Sequence, residues 1–397
     1  MISKTIQRHL IGLSFIICPL SFISCENIVT YNDNYTPKDQ IANTGAPVIS
    51  AVYDVADAAL STPITAGAPG QTVCIVGQNL NSLRALSFNT VEVPLADTYT
   101  MSTKAIVKIP TAYSRNATNT IEYTTDKGTT SYAFVVQLPE LRVWNLNNEF
   151  QADGTDVSIS GENFDYYGFG ETDAPASVTV AGQSATLSFV SPKMLRVRIP
   201  EGTPANTAIA VNWQNAAGEA CTISLPFRPT DGLLFADLSR VQRDKTDVAA
   251  TIERDADVTS TKSQLGTPHI HVCGALQAWS WLELSFSQNL PDVYDASRVG
   301  DYNFVFEVLT ESGHPLPATG FDLAWNWQWE QSYRWLPLDG NQWDTGGEWT
   351  TVRLPLSEVA PQGIGTPGQW MTFNFGFQPV EAYDADFRMG NFRIQKK

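Results

Sequence analysis

The chain opens with an apolar block and continues as a long series of short alternating stretches. Lys4, Arg8 and His9 precede an apolar run from Leu10 to Phe22, which has the length of a signal-peptide core and is short for a membrane span. Residues 26–46 are polar and read as a flexible tether. Beyond them the period is two. Val73 and Ile75 alternate with Thr72 and Cys74, the pattern of a half-buried strand. Near the C-terminus the same pattern predicts strands at 279–286, 302–309, 321–329, 351–356 and 371–377, with no strong helical period among them.

Two segments repeat one another. Gly70-Gln-Thr-Val-Cys-Ile-Val-Gly77-Gln-Asn79-Leu80 returns as Gly154-Thr-Asp-Val-Ser-Ile-Ser-Gly161-Glu-Asn163-Phe164. Ile106-Val-Lys-Ile-Pro110 returns as Leu195-Arg-Val-Arg-Ile-Pro200, so the offset is 84 residues at the glycines and 90 at the prolines. The glycines permit tight backbone at the strand ends, and Asn79 and Asn163 can bond neighbouring backbone in the turn that follows. Units of this length, with several short strands and turn signals, suit β-sandwiches. The chain therefore divides into a leader (1–24), a tether (25–46), two repeated units (47–139 and 140–229) and a distinct third region (230–397).

Tryptophan marks the third region: nine of the chain's eleven lie between Trp279 and Trp370. Side chains alternate across a strand. Leu282, Leu284 and Phe286 share one face, while Trp281 shares the other with Glu283, Ser285 and Ser287, poor company for a core residue. Trp279 and Trp281 are thus candidates for an exposed platform, about 6–7 Å apart along the strand. A sugar can lay its C–H face on such an indole and direct hydroxyls to a neighbour such as Glu283; burial in a core or between domains is the competing reading. Trp325, Trp327 and Trp329 share a face with Phe321 and Leu323, which favours the core for Trp325 and Trp327. Trp329 sits where the strand ends and its face reaches the rim, so it stays a candidate. Tyr333, Trp335 and Trp343 fall in a Gly- and Pro-containing loop, where aromatic residues can confer specificity on a rigid scaffold. Trp349, just before Thr351-Val-Arg-Leu-Pro-Leu356, reads as structural.

Charge and composition narrow the partners. The net charge of −16 excludes a nucleic-acid binder and disfavours anionic polymers, which leaves a neutral ligand. Cys18 lies in the leader, and Cys74, Cys221 and Cys273 are scattered without CxxC spacing. Cys74 and Cys221 read as buried thiols. His269 and His271 share a strand face but lack a third ligand, and Asp384 and Asp386 are weak calcium candidates, so no metal or cofactor is expected. Glu283, Glu307, Glu330 and Glu348 sit in no pattern that commits them to acid chemistry. With no G-x-S-x-G elbow, HExxH or phosphate loop, the expectation is a non-enzyme.

Four resemblances join these readings. Phe22-Ile-Ser-Cys25 resembles the bacterial lipobox, with Phe22 where Leu is usual, and implies lipidation at Cys25. Glu26-Asn27 resembles the surface-export signal of Bacteroidetes lipoproteins. The repeated units resemble IPT/TIG immunoglobulin-like domains, through the G-x-x-v-x-I-x-G-x-n-f core and the closing v-x-v-P, and such domains are usually spacers. The third region, with Gly274-Ala-Leu-Gln-Ala-Trp279-Ser-Trp281-Leu-Glu283 and Gly347-Glu-Trp349-Thr-Thr-Val-Arg-Leu-Pro-Leu356, resembles the terminal domain of Bacteroidetes surface glycan-binding proteins. Together they imply an all-β, outer-membrane lipoprotein facing the cell exterior, with two tandem Ig-like sandwiches followed by a jelly-roll-type sandwich. They also imply capture of a neutral plant-type β-glycan (xyloglucan, mixed-linkage glucan or β-mannan) for a Sus-like uptake system. The partners implied are a TonB-dependent transporter and a second glycan-binding lipoprotein. Of the family's ligand contacts, only Trp279 and Trp281 are carried onto this chain. Two alternatives stand beside this: an adhesin that uses the tryptophans as a protein hot spot, and a purely structural spacer.

Overall fold

The computed structural model describes residues 41–112, 117–172, 174–235, 238, 241–245, 248–259, 263–292 and 294–397. The leader, Cys25 and most of the tether lie outside the described residues. The described residues are built almost wholly of β-strands, with a single α-helical turn at Leu356–Val359. They form two compact units that divide between Val136 and Gln137.

In the first unit, Val48–Asp54, Thr72–Gln78, Lys104–Lys108 and Tyr99–Thr100 form one sheet, and Val91–Glu92, Leu83–Phe88, Thr120–Thr125 and Gly128–Ala133 another. The second unit begins with the same arrangement: Arg142–Leu146, Asp156–Glu162, Met194–Arg198 and Leu187–Ser191 in one sheet, and Gln183–Ser184, Ser177–Val180, Thr207–Gln214 and Ala220–Phe227 in the other. The repeated motif has a common cause in both. The first strand bulges where it crosses the motif's second glycine. A Cβ on Gly77 would lie 1.9 Å from the Val48 carbonyl oxygen, and one on Gly161 would lie 2.1 Å from that of Arg142. Asn79 and Asn163 then take left-handed backbone, at φ 57° and 68°. Their amides donate to the Ala46 and Glu140 carbonyls at 3.1 and 2.8 Å, tying the incoming chain to the strand.

The C-terminal sandwich has ten strands: β1 Val241–Lys245, β2 Ala249–Glu253, β3 His269–Leu276, β4 Leu282–Asn289, β5 Tyr302–Thr310, β6 Phe321–Trp325, β7 Tyr333–Trp335, β8 Thr350–Pro355, β9 Trp370–Phe377 and β10 Tyr383–Lys396. The front sheet runs β1-β4-β9-β6-β7 and the back sheet β2-β3-β10-β5-β8. All pairings are antiparallel. Between the sheets lies one aromatic core, which includes Phe286, Phe304, Phe306, Phe321, Phe373 and Phe392.

The back sheet is welded to the preceding Ig-like domain. Arg393 and Glu149 are both almost wholly buried. The Arg393 guanidinium donates to Glu149 at 2.6 Å and to both oxygens of Glu307 at 2.8 and 2.9 Å. Arg353 adds a bond of 2.5 Å to Glu149. Burial pushes the Glu307 carboxyl up, and Arg393 opposes that rise. Beside these charges Phe150 packs with Leu265, Leu309 and Trp349, and Arg393 lies over the Phe150 ring. Replacing Arg393 by Met would leave the buried Glu307 without its cation and Glu149 with Arg353 alone. That should cost about 3–5 kcal/mol in urea unfolding. By the same reasoning residues 230–397 alone, without Glu149 and Phe150, should melt below Gln137–Lys397; equal melting would show that the weld adds no stability.

Candidate functional site

The central strand of the front sheet sets the site. Along β9, Met371, Phe373, Phe375 and Phe377 point into the core, so Trp370, Thr372, Asn374 and Gly376 point outward. The register places Glu283 and Asp322 on either side of Gly376, Ser285 and Ala324 beside Asn374, and Ser287 beside Thr372. The outward face is therefore a floor of small and polar side chains. Indoles rise from it.

Trp281 folds over Gly376, together with Trp329. A Cβ on Gly376 would stand 2.7 Å from the Trp281 ring and 2.8 Å from the Trp329 ring, so only glycine allows both to lie there. The two rings meet edge to face, with centroids 5.3 Å apart. The Trp281 indole N–H donates to Glu283 Oε2 at 2.7 Å. Trp327 and Trp370 extend the row, and Trp279 stands at the rim, where its N–H donates to the Pro379 carbonyl at 2.7 Å. Trp279 is 65% exposed, Trp370 54% and Trp327 46%. Gly376 lies six residues along β9 from Trp370, so this aromatic face is about 20 Å long.

Backbone geometry explains why Trp327 faces out. β6 ends at Trp325, and Asn326 and Trp327 both adopt left-handed backbone, at φ 52° and 65°. Asn326 stays locked to β9: its N–H donates to the Thr372 carbonyl at 2.7 Å, and its side-chain oxygen accepts from the Thr372 N–H at 2.9 Å. The Trp327 N–H donates to Asn374 Oδ1 at 3.0 Å. The turn thus reverses the expected face of Trp327.

Several sequence expectations change. The strand predicted from 279 begins at Leu282, and Trp279 lies in the preceding turn at φ 65°. Trp281 is half-buried in the indole pair and does not stand free. Glu283 is only 6% exposed and orients the Trp281 ring, so it is not an open partner for hydroxyls. Trp329 lies in a short 3-10 turn after the strand and joins the row. Tyr333 and Trp335 are in β7, paired with Leu323 and Phe321, and not in a loop. Trp335 is buried against Phe306 and Phe321 and has no face for a ligand. Tyr333 packs against the same core, where burial pushes its hydroxyl up. Trp343 is half-buried there too and bridges to Leu316. Cys74 is buried, whereas Cys221 is partly exposed.

Sequence reasoning favoured the core for Trp327 and passed over Trp370. For Trp370 the signal was present: Met371, Phe373, Phe375 and Phe377 alternate with Trp370, Thr372, Asn374 and Gly376, the same argument that singled out Trp281. For Trp327 it was not, because alternation cannot foresee a left-handed pair at a strand end.

The comparisons agree with this architecture. Residues 244–396 match the family described as the surface glycan-binding protein B xyloglucan binding domain, and residues 145–227 match the IPT/TIG domain. No curated protein sequence matches. Among solved structures, the chain is similar to the surface glycan-binding protein PbSGBP-B from Prevotella bryantii, with 17% identity, 89% of this chain and 99% of that chain covered, and a TM-score of 0.58. It is also similar to an SGBP-B from a complex xyloglucan utilization locus in Bacteroides uniformis, at 16% identity, 89% and 100% coverage and a TM-score of 0.49. At such identity the Prevotella likeness establishes a shared fold. The chain is therefore similar to the surface glycan-binding protein B family over its C-terminal sandwich and to the IPT/TIG domain over the segment before it.

Exposure predicts how the tryptophans differ as mutants. Trp370→Ala should leave folding stability within about 0.5 kcal/mol of the parent. Trp335→Ala should cost about 3–5 kcal/mol. Thermal melting and urea unfolding of the two variants check both figures.

Proposed function

We propose that this chain is a non-catalytic glycan-binding protein that captures a neutral plant-type β-glycan along the outward face of the front sheet. The observation that carries the reading is the row of half-exposed and exposed indoles on an otherwise polar sheet face. A soluble domain gains nothing by holding that much apolar surface in water unless a ligand covers it. The row suits an extended chain with two apolar ring faces per sugar and hydroxyls at its edges. Xyloglucan is the first choice of ligand, because the matching family is described by that polysaccharide. Mixed-linkage glucan and β-mannan present the same chemistry and belong in the same test. The comparisons lend no support to a protein adhesin.

The carboxylates beside the platform fit binding better than hydrolysis. Glu283 is held by the Trp281 indole, and Asp322 is held by Arg334 at 2.6 Å. A glycosidase needs one carboxyl free to give a proton and another free to attack or activate water. The same reading makes Cys25 the lipidated residue of an outer-membrane protein that works beside a TonB-dependent transporter and a second glycan-binding lipoprotein. Cys25→Ala should then leave the membrane fraction, and membrane attachment at the parental level would refute the anchor.

Titration calorimetry of the full chain against soluble xyloglucan, mixed-linkage glucan and β-mannan tests the binding claim. Trp370→Ala and Trp281→Ala should each lose roughly 2 kcal/mol of binding free energy, about a thirtyfold weakening. Failure to bind any of the three glycans, or parental affinity in both variants, would defeat the proposal.

A further inference from the structure

The outward face of the back sheet, opposite the platform, gathers three of the chain's four histidines with a cysteine and several acids. On β3, Ile270 and Val272 enter the core, so His269, His271 and Cys273 face outward. Strand pairing brings Asp386 of β10 directly across from Cys273, and Thr251 of β2 across from His271. The ligand atoms of His271, Cys273 and Asp386 all lie within 4.8 Å of one another. His269 takes no part: it is fully buried, with Nδ1 near the Thr267 carbonyl and its ring against Trp349. The sequence pair His269-x-His271 thus misleads, and the third ligand comes from a strand more than a hundred residues away.

We propose that His271, Cys273 and Asp386 form a Zn2+ site. The donor set of one imidazole, one thiolate and one carboxylate is that of Zn2+, whose sites combine nitrogen, sulfur and oxygen ligands in a tetrahedron. A thiolate disfavours Ca2+ and Mg2+, which take oxygen. The imidazole is already set for the role. His271 Nδ1 lies 2.6 Å from Glu253 Oε1, a partner that can keep Nδ1 as the donor once the ion displaces the proton on Nε2. Nε2 lies 2.7 Å from Asp386 Oδ1. Around a tetrahedral ion with bonds of about 2.0–2.1 Å these two atoms would stand about 3.3 Å apart. For this pair the needed shift is a few tenths of an ångström on each side, while Cys273 Sγ, within 4.8 Å of both, must close to about 3.6 Å for a Zn–S bond of about 2.3 Å. Glu253 is in turn held by Arg388 Nε at 2.7 Å, and Arg388 also pairs with Glu311. Cys273 is exposed, so the fourth position opens to solvent and takes water. The ion would clip β3 to β10, the two strands at the middle of the back sheet, and through Glu253 reach β2.

The test uses the purified full chain with Zn2+ alone, and with Co2+ as its spectroscopic substitute. We expect one saturable site per chain, a rise in melting temperature on adding Zn2+, and a thiolate-to-cobalt charge-transfer band. Cys273→Ser should abolish the band, weaken Zn2+ at least tenfold and remove the thermal shift. Its exposure makes it a mild change, and His9, Cys18 and Cys25 remain in both proteins. Asp386→Asn should weaken Zn2+ at least tenfold, and Glu253→Gln by roughly ten- to a hundredfold. Glycan affinity should not change on adding Zn2+, because the platform lies on the other sheet. Absence of a one-to-one site, or Zn2+ affinity and thermal shift that persist in both Cys273→Ser and Asp386→Asn, would overturn the proposal.

Discussion

The pleat of one strand governs the functional half of the molecule. β9 sits at the centre of the front sheet, and a strand must send successive side chains to opposite faces. Met371, Phe373, Phe375 and Phe377 therefore anchor the core, while Trp370, Thr372, Asn374 and Gly376 build the outer floor. A shift of one residue in register would bury the polar set and expose the phenylalanines. The same alternation that stabilises the sandwich thus fixes where an indole can rise above the floor. Gly376 then decides how closely. Without a side chain there, Trp281 and Trp329 settle onto the backbone itself, and Glu283 holds one of them in orientation.

The back sheet solves a different problem. Its outward face meets the Ig-like domain through charges that have left water, a costly arrangement unless every member is paired. Arg393 answers two carboxylates from different domains, Glu149 and Glu307, and the Phe150 ring lies against its guanidinium. Such a cluster discriminates sharply between docked and undocked states, because undocking takes Glu149 away from both Arg353 and Arg393. The second Ig-like domain is consequently part of the same compact unit as the binding domain, more than a string that holds it away from the surface.

The strand content and the repeat were legible because both rest on local rules. Gly77 and Gly161 are read easily, though their reason is close approach of a bulged strand and not a special φ. The tryptophans were harder. Trp281 was found by facial company, and Trp370 was open to the same test. Trp335 was misassigned because a three-residue strand at a sheet edge resembles a loop in one dimension. Trp327 was misplaced because the alternation was carried past the end of β6, where two left-handed residues reset it. Composition finds aromatic residues, but the end of a strand decides which way they point.

Those left-handed residues bear on why the platform works. A tryptophan at positive φ costs on the order of 1–3 kcal/mol, and such conformations gather at ligand clamps. Of the platform's three most exposed indoles two, Trp279 and Trp327, have it. Each is held by backbone hydrogen bonds to the end of β9 or to an asparagine on it. The strain is therefore borne by a structure rigid enough to sustain it. An indole on a flexible loop would lose rotamer and backbone freedom each time it met a ligand, at about 0.5–1.5 kcal/mol for each side chain immobilised. With the backbone beneath each ring fixed in advance, the backbone share of that cost has already been met during folding. If the ligand is the long, hydrated glycan proposed above, moving the ordering cost from binding to folding lets several weak stacking contacts act together.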